Sequence, residues 1–263
     1  MPLSPFHILR AIPHGLFSLF FPDDCHLCHQ PLTGITRVPV CDDCLREPEP
    51  LSADFFCVSC RTPFQNEFPL DAHGQCALCR SGLRGFDAAY CFGSYDGKLR
   101  DLIHLFKYRR MKPLAGSLEK LMAAALPRDL QFDAIVSVPM HWRKRFARGF
   151  NQADLLARGI AHRCGIPVIQ SLVRRKSTQV QAGLSHAQRR LNVSSAFSIR
   201  RNATLTGLRI LLIDDVMTTG ATGSACAFLL KRGGAKSVTL LTLARVDRRW
   251  AENTAGAEYP GAS

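Results

Sequence analysis

ILLIDDVMTTGAT, residues 210–222, is the stretch on which the fold turns. Four apolar residues run into adjacent aspartates, Asp214 and Asp215, and the chain then becomes small and polar through Met217, Thr218, Thr219, Gly220, Ala221 and Thr222. A nearly continuous apolar run suits a strand covered on both faces, as in a parallel sheet. Ligands of such sheets bind beyond the carboxyl ends of the strands. A loop leading from there into a helix offers free N–H groups and the positive end of the helix dipole to a phosphate. Gly220 lets the backbone come close, and the threonines add hydroxyl donors. Two carboxylates cannot ligate a phosphate; they are placed to accept hydrogen bonds from hydroxyls, as on a ribose. A 5′-phosphorylated ribose satisfies both halves of the stretch.

Outward from this stretch, strands and helices alternate. Phe86–Tyr95 reads as a strand, and Leu99, Leu102, Ile103 and Phe106 mark one face of a helix. A helix over Pro113–Leu126, a strand over Phe132–Pro139, and a helix from Asn151 to Gly165 follow. Ile166–Arg175 supplies another strand before a polar excursion to about Arg201. The strand 207–214, the helix Thr222–Arg232 with Gly233 and Gly234 as its stop, and the strand Ser237–Arg245 complete the series. Such alternation predicts an α/β domain over 85–247, a parallel sheet with helices on both faces. Residues 248–263 read as a disordered tail and 1–21 as an amphipathic helix, interrupted by Arg10, Pro13, His14 and Gly15. No apolar run reaches the roughly 18 residues of a membrane-spanning helix.

Ahead of this domain, over 22–84, eight of the eleven cysteines form four C-x-x-C pairs: Cys25/Cys28, Cys41/Cys44, Cys57/Cys60 and Cys76/Cys79. Two such turns complete a tetrahedral thiolate set around zinc with no open position. The spacing predicts two sequential zinc ribbons, each with a short hairpin between its pairs; a crossed pairing, first with third and second with fourth, is the alternative. A disulfide framework finds no secretory signal to support it, and iron–sulfur ligation uses less regular spacings. Two structural Zn²⁺ ions are expected. Cys91, Cys164 and Cys226 sit in apolar contexts and are expected to be buried, inert thiols.

The formal net charge of +13 is unevenly placed. From His141 to Arg201 there are thirteen Lys/Arg against one acid, whereas Pro22 to Arg80 holds four Arg against nine acids. A basic block so concentrated faces an anion: phosphate, pyrophosphate or nucleic acid.

Residues 210–222 resemble the phosphoribosyl pyrophosphate (PRPP) motif of the type I phosphoribosyltransferases. That resemblance gives Asp214 and Asp215 the ribose hydroxyls and Met217–Thr222 the 5′-phosphate, with Mg²⁺ accompanying PRPP. SVPMHWRKR (137–145) is similar in position to the family's pyrophosphate loop, which implies roles for Pro139, Met140, His141, Arg143, Lys144 and Arg145. The cysteine pairs, FKYRR (106–110), RGFNQADLLA (148–157), QAGLSHAQRRLNVSSAF (181–197) and the PRPP motif occur in one order. Over Phe21–Val246 the chain resembles the ComF family of late-competence proteins, in a form with a double zinc ribbon. The resemblance implies a cytoplasmic protein in natural transformation, with PRPP, single-stranded DNA and the uptake machinery at the inner membrane as partners. Arg143, Lys144 and Lys176 are the candidate catalytic cations, and Arg174, Arg175 and Lys176 the candidate nucleic-acid contacts. Lys107 is a further candidate, set against a solvated helix-end lysine; His104 and His141 are weaker candidates for proton transfer. No stretch reads as a base-recognition site. Two classes stand: a PRPP-binding factor that handles imported single strands, and a transferase acting on a nucleobase or another acceptor. Aromatic residues are few in the basic block, so phosphate contacts are expected to dominate any binding of nucleic acid.

Overall fold

The computed structural model describes residues 24–32, 37–81, 83, 85–175 and 195–246. The expected N-terminal helix, the C-terminal tail and Lys176 lie outside them. The first part holds helix α1 (Asp42–Arg46), two-residue strands β1 (Phe55–Phe56) and β2 (Pro63–Phe64), and helix α2 (Ala77–Arg80). Next come β3 (Ala88–Ser94), α3 (Gly97–Tyr108), α4 (Ala115–Ala124), β4 (Ala134–Ser137), α5 (Trp142–Arg148) and α6 (Gln152–Cys164). The hairpin strands β5 (Leu172–Arg174) and β6 (Phe197–Ile199) precede β7 (Arg209–Met217), α7 (Ala221–Arg232) and β8 (Ser237–Arg245). No helix among the described residues is long and apolar enough to cross a membrane.

Four strands form one parallel sheet in the order β3-β8-β7-β4. Side chains alternate between its faces. Leu211, Ile213, Leu241 and Leu243 pack with Leu102, Phe106, Leu118 and Leu156 of α3, α4 and α6. Ile210, Leu212, Val238 and Leu240 pack with Cys226 and Leu230 of α7. Helices therefore cover both faces, which is why β7 and β8 need unbroken apolar runs rather than alternation.

Two expectations change. Ile166–Arg175 is not one sheet strand: Val168 makes a single parallel bridge to Ile135, and the chain then leaves the sheet for the β5–β6 hairpin. Polar Gln170 and Ser171 interrupt the apolar run where a buried edge strand would have to continue. In the other direction β7 runs past the acids to Met217, so Asp214 pairs with Thr242 and Met217 with Arg245 of β8.

The cysteines group sequentially, not crossed: the sulfurs of Cys25, Cys28, Cys41 and Cys44 lie within 4.8 Å of one another, as do those of Cys57, Cys60, Cys76 and Cys79. A hairpin wraps the first pair of each set, and in the second spacer a further antiparallel bridge joins Leu70 to Cys76. An Asp24–Pro31 bridge brackets Cys25 and Cys28, and β1–β2 brackets Cys57 and Cys60. The second pair uses a helical turn: Cys41 and Cys76 precede α1 and α2, and Cys44 and Cys79 lie within them. Residues three apart on a helix face the same way, which converges two sulfurs as well as a loop does. Neither set stands apart from the sheet. Cys25 and Cys44 belong to the apolar cluster on the α3–α4–α6 face, and Cys57, Cys60, Cys76 and Cys79 to the cluster on the α7 face.

A buried arginine at the end of β8 ties the second set to the sheet. Arg245 donates from Nη1 to the Cys60 carbonyl (2.7 Å) and from Nη2 to Thr62 Oγ1 (2.6 Å). Hydrogen bonds from a charged donor contribute about 1.5–3 kcal/mol each. Arg245→Met should therefore lower the thermal midpoint by several degrees, and Arg245→Lys by less. Unchanged midpoints in both variants would show that the second cysteine set does not depend on β8.

Candidate functional site

The site lies at the carboxyl end of β7. Because successive strand residues point to opposite faces, Asp215 turns toward α3 and Asp214 toward α7. Lys107 of α3 places its Nζ 3.1 Å from Asp215 Oδ1, with only 13% and 15% of the two side chains exposed. Burial by itself would lower the Lys107 pKa; the charge and hydrogen bond of Asp215, then Asp214, outweigh it and raise the value. Lys107 is thus buried in an ion pair with Asp215 and is not a solvated helix-end lysine. Tyr95 closes this side, its pKa raised by burial, and its hydroxyl shares a 3.0 Å hydrogen bond with His104 Nε2. His104 is exposed and sits against the Tyr108 ring.

Asp214 is the more perturbed acid. Burial, then the Asp215 charge, push its carboxyl up to about 7, against the Asp215 N–H that donates to its Oδ1 (2.9 Å) and against Lys107 and Arg174. Cys226 of α7 is fully buried nearby, and burial with the Asp214 charge holds its thiol well above the ordinary range, so it is inert as expected. Cys91 is half-buried and Cys164 exposed at the end of α6, against the expectation for both.

Beyond Met217 the chain turns through Thr218–Gly220 into α7, which begins at Ala221, one residue earlier than expected. Gly220 has φ +77°, and a Cβ there would sit 3.1 Å from both Met217 Cε and Leu83 Cδ2. Thr219 Oγ1 accepts from the Ala221 N–H (3.3 Å), while Thr218 is exposed. A small cavity of about 30 Å³ lies behind this loop, with Asp214, Thr218, Gly220, Thr222 and Thr242 in its wall.

Across β4 the expected pyrophosphate loop is shorter than its sequence suggests. Pro139 and Met140 follow the strand, but His141 caps α5, its Nδ1 accepting from the Arg143 N–H (3.3 Å). Arg143, Lys144 and Arg145 thus lie on a helix, which ends at Gly149 with φ +80°. A capping residue followed by good helix formers makes the turn helical. His141 is buried and committed to this cap. Asn151 fixes the loop from the other side, donating from Nδ2 to the Val138 carbonyl (3.0 Å).

The candidate cations separate. Lys144 has its pKa lowered by partial burial and then by Arg174, Arg148 and Lys107, which puts it in one electropositive group with them. Arg174 of β5 stacks its guanidinium on Phe197 at 5.2 Å; burial lowers its pKa while Asp214 opposes the shift. Arg175, next in the chain, points away and donates to Ser198 Oγ (2.8 Å). Arg143 lies over the Trp142 ring at 5.3 Å on the outer side of α5. Arg145 lines a cleft of about 350 Å³ together with Trp142, Asp154, Ser171, Arg174 and Arg200. Lys107 and Arg174 therefore act on the acids, Lys144 neighbours those two cations, and Arg143 and Arg175 are engaged elsewhere. The role of Tyr95 was not legible, since a tyrosine ending a strand carries no distinguishing spacing.

The comparisons with known proteins bear on the family and the fold. The phosphoribosyl transferase domain family matches residues 146–257. The chain is 32% identical over 236 residues to the DNA utilization protein YhgH of Salmonella typhimurium, covering 86% of this chain and 99% of that protein. It is 32% identical over 179 residues to competence protein F of Haemophilus influenzae, covering 65% of this chain and 78% of that one. Among solved structures, adenine phosphoribosyltransferase from Leishmania tarentolae is similar at 17% identity and a TM-score of 0.37, over 70% of this chain and 82% of that one. The fold is a type I phosphoribosyltransferase-like parallel sheet.

A carboxyl whose pKa is raised by folding is protonated in the folded chain over a range where the unfolded chain has lost its proton. Stability is then fully present below the unfolded value of 3.8 and declines as pH rises toward about 7. Without ligand, Asp214→Asn should raise the thermal midpoint at pH 8 and raise it less at pH 5.5. An equal effect at both pH values, or a fall at pH 8, would contradict the assigned environment of Asp214.

Proposed function

The chain belongs to the ComF family of competence and DNA-utilization proteins, and from that premise we propose that it binds Mg²⁺–PRPP and handles single-stranded DNA during its import on the cytoplasmic side. The observation that carries the PRPP reading is the adjacent acid pair, Asp214 and Asp215, beside a helix-start loop, with Lys107 and Arg174 acting on it and Lys144 next to those cations. Phosphates alone would not call for acids, and a neutral sugar alone would not call for three cations. In this reading the ribose hydroxyls donate to Asp214 and Asp215, and the 5′-phosphate takes the N–H groups at the start of α7 with the hydroxyls of Thr218, Thr219 and Thr222. Lys144 and Arg174 are the cations that would face the pyrophosphate. Lys107 holds Asp215 in place while the site is empty and remains its counter-charge when a hydroxyl arrives. When bound, Mg²⁺ supplies charge neutralisation at the pyrophosphate.

The same cations would stabilise a departing pyrophosphate, which favours the second reading, a transferase with an unidentified acceptor. PRPP consumption measured with nucleobases and with single-stranded DNA separates it from binding alone.

Calorimetry should find Mg²⁺–PRPP binding by the wild type and a loss of about ten- to a hundredfold in Asp215→Asn, the size expected for a charge-assisted hydrogen bond. Failure of the wild type to bind at millimolar ligand would overturn the PRPP reading.

We read both four-cysteine sets as structural zinc sites, because closed sets of four thiolates suit tetrahedral zinc and leave no position for chemistry. Elemental analysis of fresh protein should give two zinc ions per chain, and one in Cys57→Ser. Iron instead of zinc, or less than one metal ion in the wild type, would contradict this.

A further inference from the structure

Helix α5 buries none of its residues. It carries Trp142 and Phe146, exposed to 65% and 88%, four positions apart and therefore on one face. Single exposed aromatic residues are ordinary. Two in register are not, on a seven-residue helix that also bears Arg143, Lys144, Arg145 and Arg148 and no acid.

The surface extends onto the end of α3. Arg110 donates from Nη2 to the Ala147 carbonyl, joining the two segments. Tyr108, 60% exposed, lies beneath the Arg148 guanidinium at 5.1 Å, and Arg143 covers Trp142 at 5.3 Å. Neither 102–118 nor 139–153 contains an acid. Rings and cations are interleaved, with guanidinium groups stacked on the rings themselves. A helix lying on a membrane keeps its apolar face clear of cations, whereas here Arg143 lies over Trp142 and Arg148 over the neighbouring Tyr108. Interleaving is what single-stranded nucleic acid requires: π-faces for successive bases and cations for the phosphates between them. The surface also leads inward, since Trp142 and Arg145 wall the cleft that contains Arg174 and Arg200.

We propose that α5 and the end of α3 form a stacking ledge for single-stranded nucleic acid, with bases on Trp142 and Phe146 and phosphates at Arg143 and Arg145. The inference rests on the single-strand handling proposed above and assigns it residues. Sequence alone pointed to phosphate contacts at Arg174, Arg175 and Lys176; Arg174 is turned toward the acids, and the ledge puts base contacts on α5.

The test is fluorescence anisotropy on the full chain, with labelled oligothymidylate and an abasic strand of equal length, each at two salt concentrations. Trp142→Ala and Phe146→Ala should each weaken oligothymidylate about tenfold. Binding of the abasic strand and the salt dependence should stay unchanged, because released counterions report phosphate contacts. Trp142→Phe should restore most of the loss. In a Trp250→Phe background Trp142 is the sole tryptophan, and its fluorescence should be quenched by oligothymidylate but not by the abasic strand. A wild type that binds neither strand overturns the single-strand reading itself. A wild type that binds while both alanine variants bind equally well overturns only the ledge. The ledge is also overturned if the variants lose binding to anionic phospholipid vesicles and keep full affinity for oligothymidylate. Because both side chains are exposed, circular dichroism and Mg²⁺–PRPP affinity should be unchanged and serve as the folding control.

Discussion

Adjacent carboxylates at the end of a central strand are an electrostatic problem that the surrounding structure has to solve. Strand geometry separates Asp214 and Asp215 onto opposite faces, and the two faces solve it differently. On the α3 side Lys107 meets Asp215 at 3.1 Å, an attraction on the order of 5 kcal/mol at an effective dielectric near 20, before the cost of desolvating both groups. On the α7 side Asp214 has no lysine in contact among the described residues, and its carboxyl rises to about 7 instead. The pair thus holds one carboxylate in a buried ion pair and a second whose charge is disfavoured by burial. An arriving hydroxyl or cation can claim that second charge without having to break an ion pair.

The sheet that presents this pair is supported from both faces by the cysteine sets. Each set contributes sulfur-bearing residues to the apolar cluster beneath it, so the N-terminal part works as two caps on one core. Arg245 links the tip of β8 to the Cys60 turn. Met217, its neighbour across the β7–β8 ladder, begins the loop into α7. The second cysteine set and the Thr218–Gly220 loop therefore sit at adjacent strand ends.

Much of this was legible in the sequence. The run 210–213 revealed a strand covered on both faces, because only such a strand dispenses with alternation. The cysteine spacing revealed two sets of four, because sulfurs must converge whatever the backbone does between them. What the sequence left open was direction. Arg174 and Arg175 are neighbours in the chain yet face opposite ways, because a hairpin strand alternates its side chains. Arg143–Arg145 read as a loop because a helix start depends on whether His141 turns its ring nitrogen onto an N–H, which no spacing encodes. Lys107 read equally well as a solvated end residue, since its partner lies 108 positions away and meets it only when α3 packs on the sheet.

The central claim is that Asp214, whose carboxyl is raised by burial and by the Asp215 charge, gives up its proton when a phosphorylated sugar occupies the site. Calorimetric titration with Mg²⁺–PRPP at pH 7.5, repeated in buffers of different ionisation enthalpy, counts the protons exchanged on binding. The account predicts net proton release by the wild type that is reduced in Asp214→Asn. Binding with the same proton exchange in both proteins would contradict it.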